Sequence, residues 1–246
     1  MKVKPKLVVV KDYEAMSREA AEIVAATVSA KPSAAISVPT GSTPVGMFNE
    51  LIAKVESGEL SFAQTQLFCL DEYVGVTPDD PNSLTGWLHK AFLTGSRIPL
   101  SNVHILPATA LDLSAAAAQY EADIAAAGGL ELAVLGLGGN GHIAYNEPGS
   151  AGNSRTRVLD LTPESIEQAR GYFEGRDVPT RAISIGVGTL LEARNIVLIV
   201  SGASKSGILR QSLHGPQTPE VPASFLQGAF DRLTVIADEP SAAELD

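Results

Sequence analysis

The chain has 246 residues, of which 45% are hydrophobic and 19% are charged, and these proportions are typical of a soluble globular protein. Its formal net charge of −10 argues against nucleic acid as a partner, because binding a polyanion requires clustered lysine and arginine. No apolar run approaches the roughly 20 residues that span a bilayer, which argues against a membrane partner. The single cysteine, Cys69, cannot form an internal disulfide. With no signal-peptide core at the N-terminus, this predicts a cytoplasmic protein.

Apolar runs and amphipathic stretches alternate along the chain. Strands are predicted, in chain order, at residues 6–10, 34–38, 65–70, 103–106, 131–137, 157–161, 181–187, 195–201 and 232–237. Helices are predicted after Asp12 and Pro44, from Asn82 to Phe92, and at 114–126, 163–169 and 204–213. Strands separated by helices favour an α/β fold, with a mostly parallel, Rossmann-like central sheet and helices on both faces. Without a linker or internal repeat, residues 1–246 are expected to form one domain.

Three predicted strands end in unusually polar segments, at residues 39–44, 71–73 and 136–148. The carboxyl ends of parallel strands lie at one edge of a sheet, and ligands bind there. We therefore expect the three segments to converge on one site.

The first segment contains Thr40, Gly41, Ser42 and Thr43 directly before a helix. Backbone N–H groups, hydroxyls and a helix N-terminus together suit a phosphate or another anion. The alternative is a capped turn in which Ser42 or Thr43 only satisfies the helix end. The Gly-Lys-Ser/Thr ending of a Walker loop is missing.

The second segment places Asp71 and Glu72 immediately after a buried strand. One of the two could point into the cleft as a general base, and Tyr73 could close over it. The alternative is an ordinary solvated strand end.

The third segment combines glycines with His142 and Glu147, which lie five residues apart beside Asn140 and Asn146. A carboxylate bonded to one ring nitrogen fixes the histidine tautomer and stabilises the imidazolium, so proton transfer is predicted here. A structural histidine is the alternative, and a metal site is disfavoured because no second His or Cys lies at ligand spacing. The other histidines, His89, His104 and His214, are expected on helices or at the surface.

Lys205 follows another apolar strand and opens a helix. A cation at a helix N-terminus is unfavourable unless an anion is present, which makes Lys205 a candidate phosphate ligand. The alternative is a solvated lysine.

In this order, the segments resemble the glucosamine-6-phosphate deaminase family. The matching runs are at residues 39–44, 70–75, 141–148, 154–157, 186–191, 204–205, 237–241 and 244–245. The sister family, 6-phosphogluconolactonase, shares the fold and the glycine loops. It typically has an Arg after the Asp-Glu pair and lacks the Asn-Glu-Pro ending, so Tyr73 and the run at 146–148 favour the deaminase.

The resemblance implies a reaction without a cofactor, in which glucosamine 6-phosphate and water give fructose 6-phosphate and ammonia. It also implies that His142 assists ring opening, Glu147 orients that histidine, and Asp71 moves a proton between C2 and C1. The turn at 40–43 and Lys205 would hold the phosphate, under a lid at residues 155–180. Family members range from monomers to hexamers, so a homo-oligomer remains open.

Three positions depart from the family pattern. Asn140 stands where many members have Asp, and a neutral amide stabilises a charged histidine less. Gly171 falls at the position of the family's phosphate-binding lid arginine, so Arg170, one residue earlier, is the candidate to replace it. Leu159 stands where the allosterically regulated members have Lys, which predicts weak or absent activation by N-acetylglucosamine 6-phosphate.

Three other functions remain open. Because Gly171 stands in place of the family's lid arginine, the substrate could be a related sugar such as galactosamine 6-phosphate. A lactonase-type hydrolase would use the same fold. A non-catalytic regulator that binds a sugar phosphate is disfavoured by the presence of Asp71, His142 and Glu147.

Overall fold

The computed structural model describes residues 4–173 and 175–245. The ends of the predicted domain, residues 1–3 and 246, and residue 174 of the predicted lid lie outside the described residues. The strands are β1 (Lys6–Val10), β2 (Ala35–Val38), β3 (Gln66–Cys69), β4 (Asp71–Tyr73), β5 (Val103–His104), β6 (Leu132–Gly136), β7 (Arg157–Asp160), β8 (Arg181–Ser184), β9 (Asn195–Val200) and β10 (Leu233–Asp238).

Helices connect most of these strands. They are α1 (Tyr13–Ala30), α2 (Val45–Glu56), α3 (Leu84–Leu88), α4 (Thr94–Ser96), α5 (Leu113–Ala126), α6 (Pro163–Phe173), α7 (Val187–Leu191), α8 (Ser206–His214) and α9 (Glu239–Ala242). A π-helical turn (His89–Leu93) joins α3 to α4, and 3-10 turns cover Leu100–Asn102, Ala203–Lys205 and Pro222–Ala229. In the part of the chain that the structure covers, no helix combines the length and apolarity needed to cross a bilayer.

The large sheet is parallel throughout, in the order β1-β10-β9-β6-β2-β3-β5. Four neighbouring strands, β3, β2, β6 and β9, therefore deliver the segments that follow them to the same edge. The strand order reverses at the β2–β6 pair, where α/β sheets bind their ligands. The predicted mostly parallel sheet is confirmed.

Alternating side chains of the strands enter two apolar cores on opposite faces of this sheet. Leu132 and Val134 of β6 pack on one face against α1, α2 and the π-helical turn. Ala133 and Leu135 pack on the other face against α5, α7 and α8. Helices thus cover both faces, as predicted.

A second sheet of three antiparallel strands, β4-β8-β7, was not predicted. Only Leu70 separates β3 from β4, so the chain passes directly from the large sheet to the small one. Asp71–Tyr73 is therefore a buried strand and not a solvated strand end. This placement holds Asp71 between the two sheets.

His104 does not fit the expectation of a surface or helix residue. It lies in β5, its ring stacks on Phe68 at 4.1 Å between centroids, and its Nε2 lies 2.8 Å from Oε1 of Gln66. The sequence did not reveal this because both partners lie on the neighbouring strand, β3. His89 and His214 are exposed on helical segments, as expected.

The hydroxyl of Tyr120 ties α5 to two strands. It is buried and lies 2.8 Å from the carbonyl oxygen of Cys69 and 2.9 Å from that of His104. One phenol proton is thus shared between two carbonyls at the site edge of the sheet.

We expect Tyr120→Phe to lower the free energy of unfolding by about 1–3 kcal/mol, because the carbonyls of buried Cys69 and half-buried His104 both lose this donor. Urea unfolding monitored by circular dichroism measures the change. Tyr172→Phe is the control, since Tyr172 is 52% exposed. Equal losses in the two variants would contradict the assignment.

Candidate active site

A cavity of about 270 Å³ opens at the carboxyl ends of β2, β3 and β6. Its walls come from the turn after β2, from β4, from the glycine-rich loop after β6, and from α3, α6 and the 3-10 turn before α8. The three polar strand ends predicted to converge do so around this cavity. Lys205 reaches the same wall from the end of β9.

The turn after β2 lines the cavity with Thr40, Gly41, Ser42 and Thr43. Gly41 has a φ of +95°, a left-handed conformation that glycine adopts without strain. Pro44 occupies the N-cap position of α2 and makes no side-chain capping bond, and within the described structure neither the Ser42 nor the Thr43 hydroxyl bonds to an N–H of that end. The alternative of a capped turn is therefore wrong, and the hydroxyls of this turn are not used as caps.

Tyr13 of α1 braces this turn, a contact that the sequence did not reveal. Its hydroxyl donates to the carbonyl oxygen of Ser42 at 3.2 Å and accepts from the N–H of Gly46 at 2.8 Å. The shape of the turn therefore does not depend on a ligand.

Of the two adjacent carboxylates, Asp71 lines the cavity and Glu72 does not. Asp71 is 7% exposed, and its Oδ1 has no hydrogen-bond partner among the described residues. Burial, and secondarily the charge of Glu72, raise the pKa of Asp71 to about 7. Asp71 can therefore gain or lose a proton near neutral pH, as a general base must.

His142, Glu147 and Asn140 form one hydrogen-bonded group. Nδ1 of His142 lies 3.3 Å from Oε2 of Glu147, and the amide of Asn140 donates to the same oxygen at 2.8 Å. Oδ1 of Asn140 also accepts the backbone N–H of His142 at 3.1 Å. Burial alone would raise the pKa of Glu147, but hydrogen bonds from His142, Ser165 and Asn140 lower it to about 2. Glu147 is therefore a fixed negative charge that orients the imidazole.

The glycines of this loop make room for the histidine ring. A Cβ at Gly138 would lie 2.3 Å from the ring atoms of His142, so only glycine fits there. Ala144, further along the cavity wall, has a φ of +48°, which is uncommon for a residue with a side chain. The next residue, Tyr145, lines the cavity, and its hydroxyl lies 2.6 Å from that of Tyr73. Tyr73 is thus part of the buried wall.

Lys205 lines the cavity at the end of its 3-10 turn. Burial lowers its pKa, and the charge of Glu164 opposes that change. Among the described cavity residues it is the single lysine, and none of the others is an arginine. A partly buried lysine that lines the same cavity as the backbone N–H groups of a turn can bind an anion.

Arg170 does not line the cavity, contrary to the prediction. It is exposed, with its Nε 2.5 Å from Oε2 of Glu167. The physical reason is helix periodicity, because residues three or four apart share a face and their neighbours point elsewhere. The face of α6 that lines the cavity carries Ser165, Gln168, Ala169 and Tyr172. This face was missed because the helix was predicted to end at residue 169, whereas α6 continues to Phe173.

Metal ligands do not gather at the site. Within residues 4–173 and 175–245, no group of three or more His, Cys, Asp or Glu side chains is placed to hold a metal ion.

Comparison with known proteins identifies the family. Residues 11–235 match the family model for glucosamine-6-phosphate isomerases/6-phosphogluconolactonase. A glucosamine-6-phosphate deaminase of Rhodopirellula baltica is 43% identical over 97% of this chain and 95% of its own length. Glucosamine-6-phosphate deaminase 2 of Bacillus subtilis is 39% identical over 98% of this chain and 97% of its own length.

Solved structures agree with this assignment. A monomeric glucosamine-6-phosphate deaminase superposes with a TM-score of 0.92 at 34% identity, covering 97% of this chain and 99% of that one. The 6-phosphogluconolactonase of Trypanosoma cruzi superposes with a TM-score of 0.77 at 21% identity, covering 100% and 98%, and at that identity it shows the fold alone. The chain belongs to the family of glucosamine-6-phosphate isomerases and 6-phosphogluconolactonases.

Proposed function

We propose that this protein is a glucosamine-6-phosphate deaminase, which converts glucosamine 6-phosphate and water to fructose 6-phosphate and ammonia. The observation that carries the proposal is the buried carboxylate of Asp71, whose Oδ1 has no hydrogen-bond partner among the described residues and which lines the same cavity as His142, the partner of Glu147. The deaminases that align over nearly the whole chain support the same choice of substrate.

Binding of the phosphate is assigned to Lys205 and to the turn at 40–43. The backbone N–H groups and hydroxyls of the turn supply neutral donors, and Lys205 supplies the charge. We further infer that the chain forms a single domain and that residues 155–180 act as a lid over the cavity. The second inference is supported by α6, which lies within that segment and forms one wall of the cavity.

Ring opening is assigned to His142. Its imidazole takes the proton of the C1 hydroxyl and returns it to the ring oxygen, which breaks the C1–O5 bond and leaves an aldehyde at C1. Glu147 holds the ring in place and stabilises its charged form during the transfer.

Isomerisation is assigned to Asp71. The aldehyde acidifies the C2–H bond, and the ionised carboxylate removes that proton while the C1 oxygen takes up a proton from the C2 ammonium group. Asp71 then returns its proton to C1, which leaves a protonated imine at C2. Water adds to that carbon and ammonia leaves, giving fructose 6-phosphate.

A cytoplasmic location is proposed from the cysteine content. Cys69 is a buried free thiol, which suits the reducing cytoplasm.

The first test is turnover. We expect the protein to release ammonia and fructose 6-phosphate from glucosamine 6-phosphate, and Asp71→Asn to lower kcat about 10²- to 10⁴-fold through loss of the general base. A coupled assay for each product measures this. Asp112→Asn, the same chemical change at the exposed N-cap of α5, should keep the activity.

Other substrates distinguish the alternatives. Turnover of galactosamine 6-phosphate in preference to the gluco sugar would redirect the proposal to that sugar. Hydrolysis of 6-phosphogluconolactone without ammonia release, or tight binding without turnover, would overturn it.

The second test concerns Lys205. Lys205→Ala should raise KM for the sugar phosphate about 10- to 100-fold with a smaller effect on kcat, because a charge-assisted contact of about 1.5–3 kcal/mol is lost. Arg170→Ala is the matched control and should leave KM unchanged, since Arg170 lies outside the cavity. An equal rise in both variants would contradict the placement of the phosphate.

The third test uses the effect of Asp71 on stability. Its folded pKa of about 7 lies above the unfolded value of about 3.9, so the folded state binds more protons between these values. Stability should therefore fall as pH rises from about 4 to about 7, and the loss should be complete above pH 7.

Asp71→Asn removes this ionisation, and the free energy of unfolding at pH 8 should rise by at most about 4 kcal/mol relative to the parent protein. The difference in free energy of unfolding between Asp71→Asn and the parent protein should be smaller at pH 5, because there the ionisation of Asp71 has cost the parent protein less stability. Urea unfolding at both pH values measures it. A gain of the same size at both would show that Asp71 is not buried in its ionised form.

A further inference from the structure

Glu72 is the most deeply buried carboxylate beside the site, and the proposed reaction does not use it. It is 1% exposed and does not line the cavity. Its Oε1 accepts the backbone N–H of Tyr73 at 2.9 Å and that of Leu84 at 3.0 Å. Its Oε2 accepts the N–H of Thr85 at 2.9 Å. Three backbone N–H donors thus satisfy both oxygens of this buried carboxylate.

These three bonds join two walls of the cavity. Tyr73 belongs to β4, whereas Leu84 and Thr85 form the first turn of α3. The side chain of Ser83 occupies the N-cap position of α3 and accepts the N–H of Gly86 at 2.7 Å, so Glu72 satisfies the N–H groups that the cap leaves over. The carboxylate thus bonds to the start of α3, and Ser83, Leu84 and Trp87 of this segment line the cavity.

Glu72 is also the charge that acts on Asp71. Four other titratable groups interact with Asp71, and burial raises the pKa of each of them, so they are neutral at pH 7: Cys69, Tyr73, Tyr120 and Tyr145. His142 and Lys205 line the same cavity, but His142 pairs with Glu147, and the charge that acts on Lys205 is that of Glu164.

We propose that Glu72 is a positioning residue for Asp71: its buried carboxylate fixes α3 against β4 and keeps a negative charge next to the reacting carboxylate. This rests on the proposed function in so far as Asp71 is the general base. The length of the Glu72 side chain sets the wall of the cavity, and its charge keeps Asp71 basic enough to remove a C2 proton at neutral pH.

Two variants separate length from charge. Glu72→Gln keeps the length and removes the charge, so the Asp71 midpoint should fall by on the order of one pH unit, and the acid limb of kcat/KM should fall with it. Glu72→Asp keeps the charge but cannot reach the N–H groups of α3. Its Asp71 midpoint should stay near 7 while KM rises several-fold.

The Asp71 midpoint is read without turnover, by NMR titration of protein labelled with ¹³C at the aspartate Cγ atoms. The Asp71 resonance is the one absent from Asp71→Asn. Glu121→Gln is the matched control, because Glu121 also accepts three hydrogen bonds, from Thr156 N–H and from the hydroxyls of Thr156 and Thr189. It should leave the Asp71 midpoint unchanged.

A folded Glu72→Gln protein with an unchanged Asp71 midpoint would overturn the role of the charge. An unchanged KM in Glu72→Asp would overturn the role of the length. If Glu72→Gln does not fold, Glu72→Asp decides the proposal alone, because the Asp71 midpoint in Glu72→Asp must remain near 7. If the parent protein releases no ammonia, the proposed function fails, and the NMR titration still decides whether Glu72 acts on Asp71.

Discussion

The buried carboxylate of Asp71, whose Oδ1 has no hydrogen-bond partner among the described residues, is the constraint on which the site depends. An ionised carboxylate is costly to bury, and the cost grows when a second carboxylate lies next to it. The two apolar cores that clamp the large sheet supply the stability that offsets this cost. Because β4 starts one residue after β3, Asp71 cannot turn outward to solvent without breaking its strand pairing with β8. The fold thus holds Asp71 at a position that suits a general base, although burying its ionised carboxylate there lowers the stability of the protein.

The carboxylates of Asp71 and Glu147 lie in opposite environments. Burial and a like charge raise the pKa of Asp71 to about 7, whereas donors around Glu147 lower its pKa to about 2. Such a separation supports the proposed roles, which are proton transfer for the first and a fixed charge for the second. Asn140 fits this division better than the sequence suggested, because its amide donates to Glu147 and a carboxylate at that position could not.

The sequence predicted the large sheet and the convergence of its polar strand ends, because buried parallel strands are continuous apolar runs. It did not predict the small sheet, because Asp71–Tyr73 is a three-residue strand with two acidic side chains and no apolar alternation. The prediction for Arg170 was wrong because the helix was predicted to end at residue 169. Since α6 continues to Phe173, Arg170 is helical and lies off the face that lines the cavity. The brace from Tyr13 was also missed, since it joins the start of α1 to a turn 29 residues further along the chain.

The orientation of Arg170 changes how a phosphate can be held. Lys205 is the single lysine or arginine lining the described cavity, so in the proposed binding mode a phosphate dianion takes most of its hydrogen bonds from the neutral turn at 40–43. Neutral N–H donors act only at short range and in fixed directions, whereas a guanidinium also attracts from a distance. The shape of that turn, set by Gly41 and by the hydroxyl of Tyr13, then matters more for affinity than the charge of the lid. In the proposed binding mode, the phosphate group is therefore held by the sheet edge more than by α6.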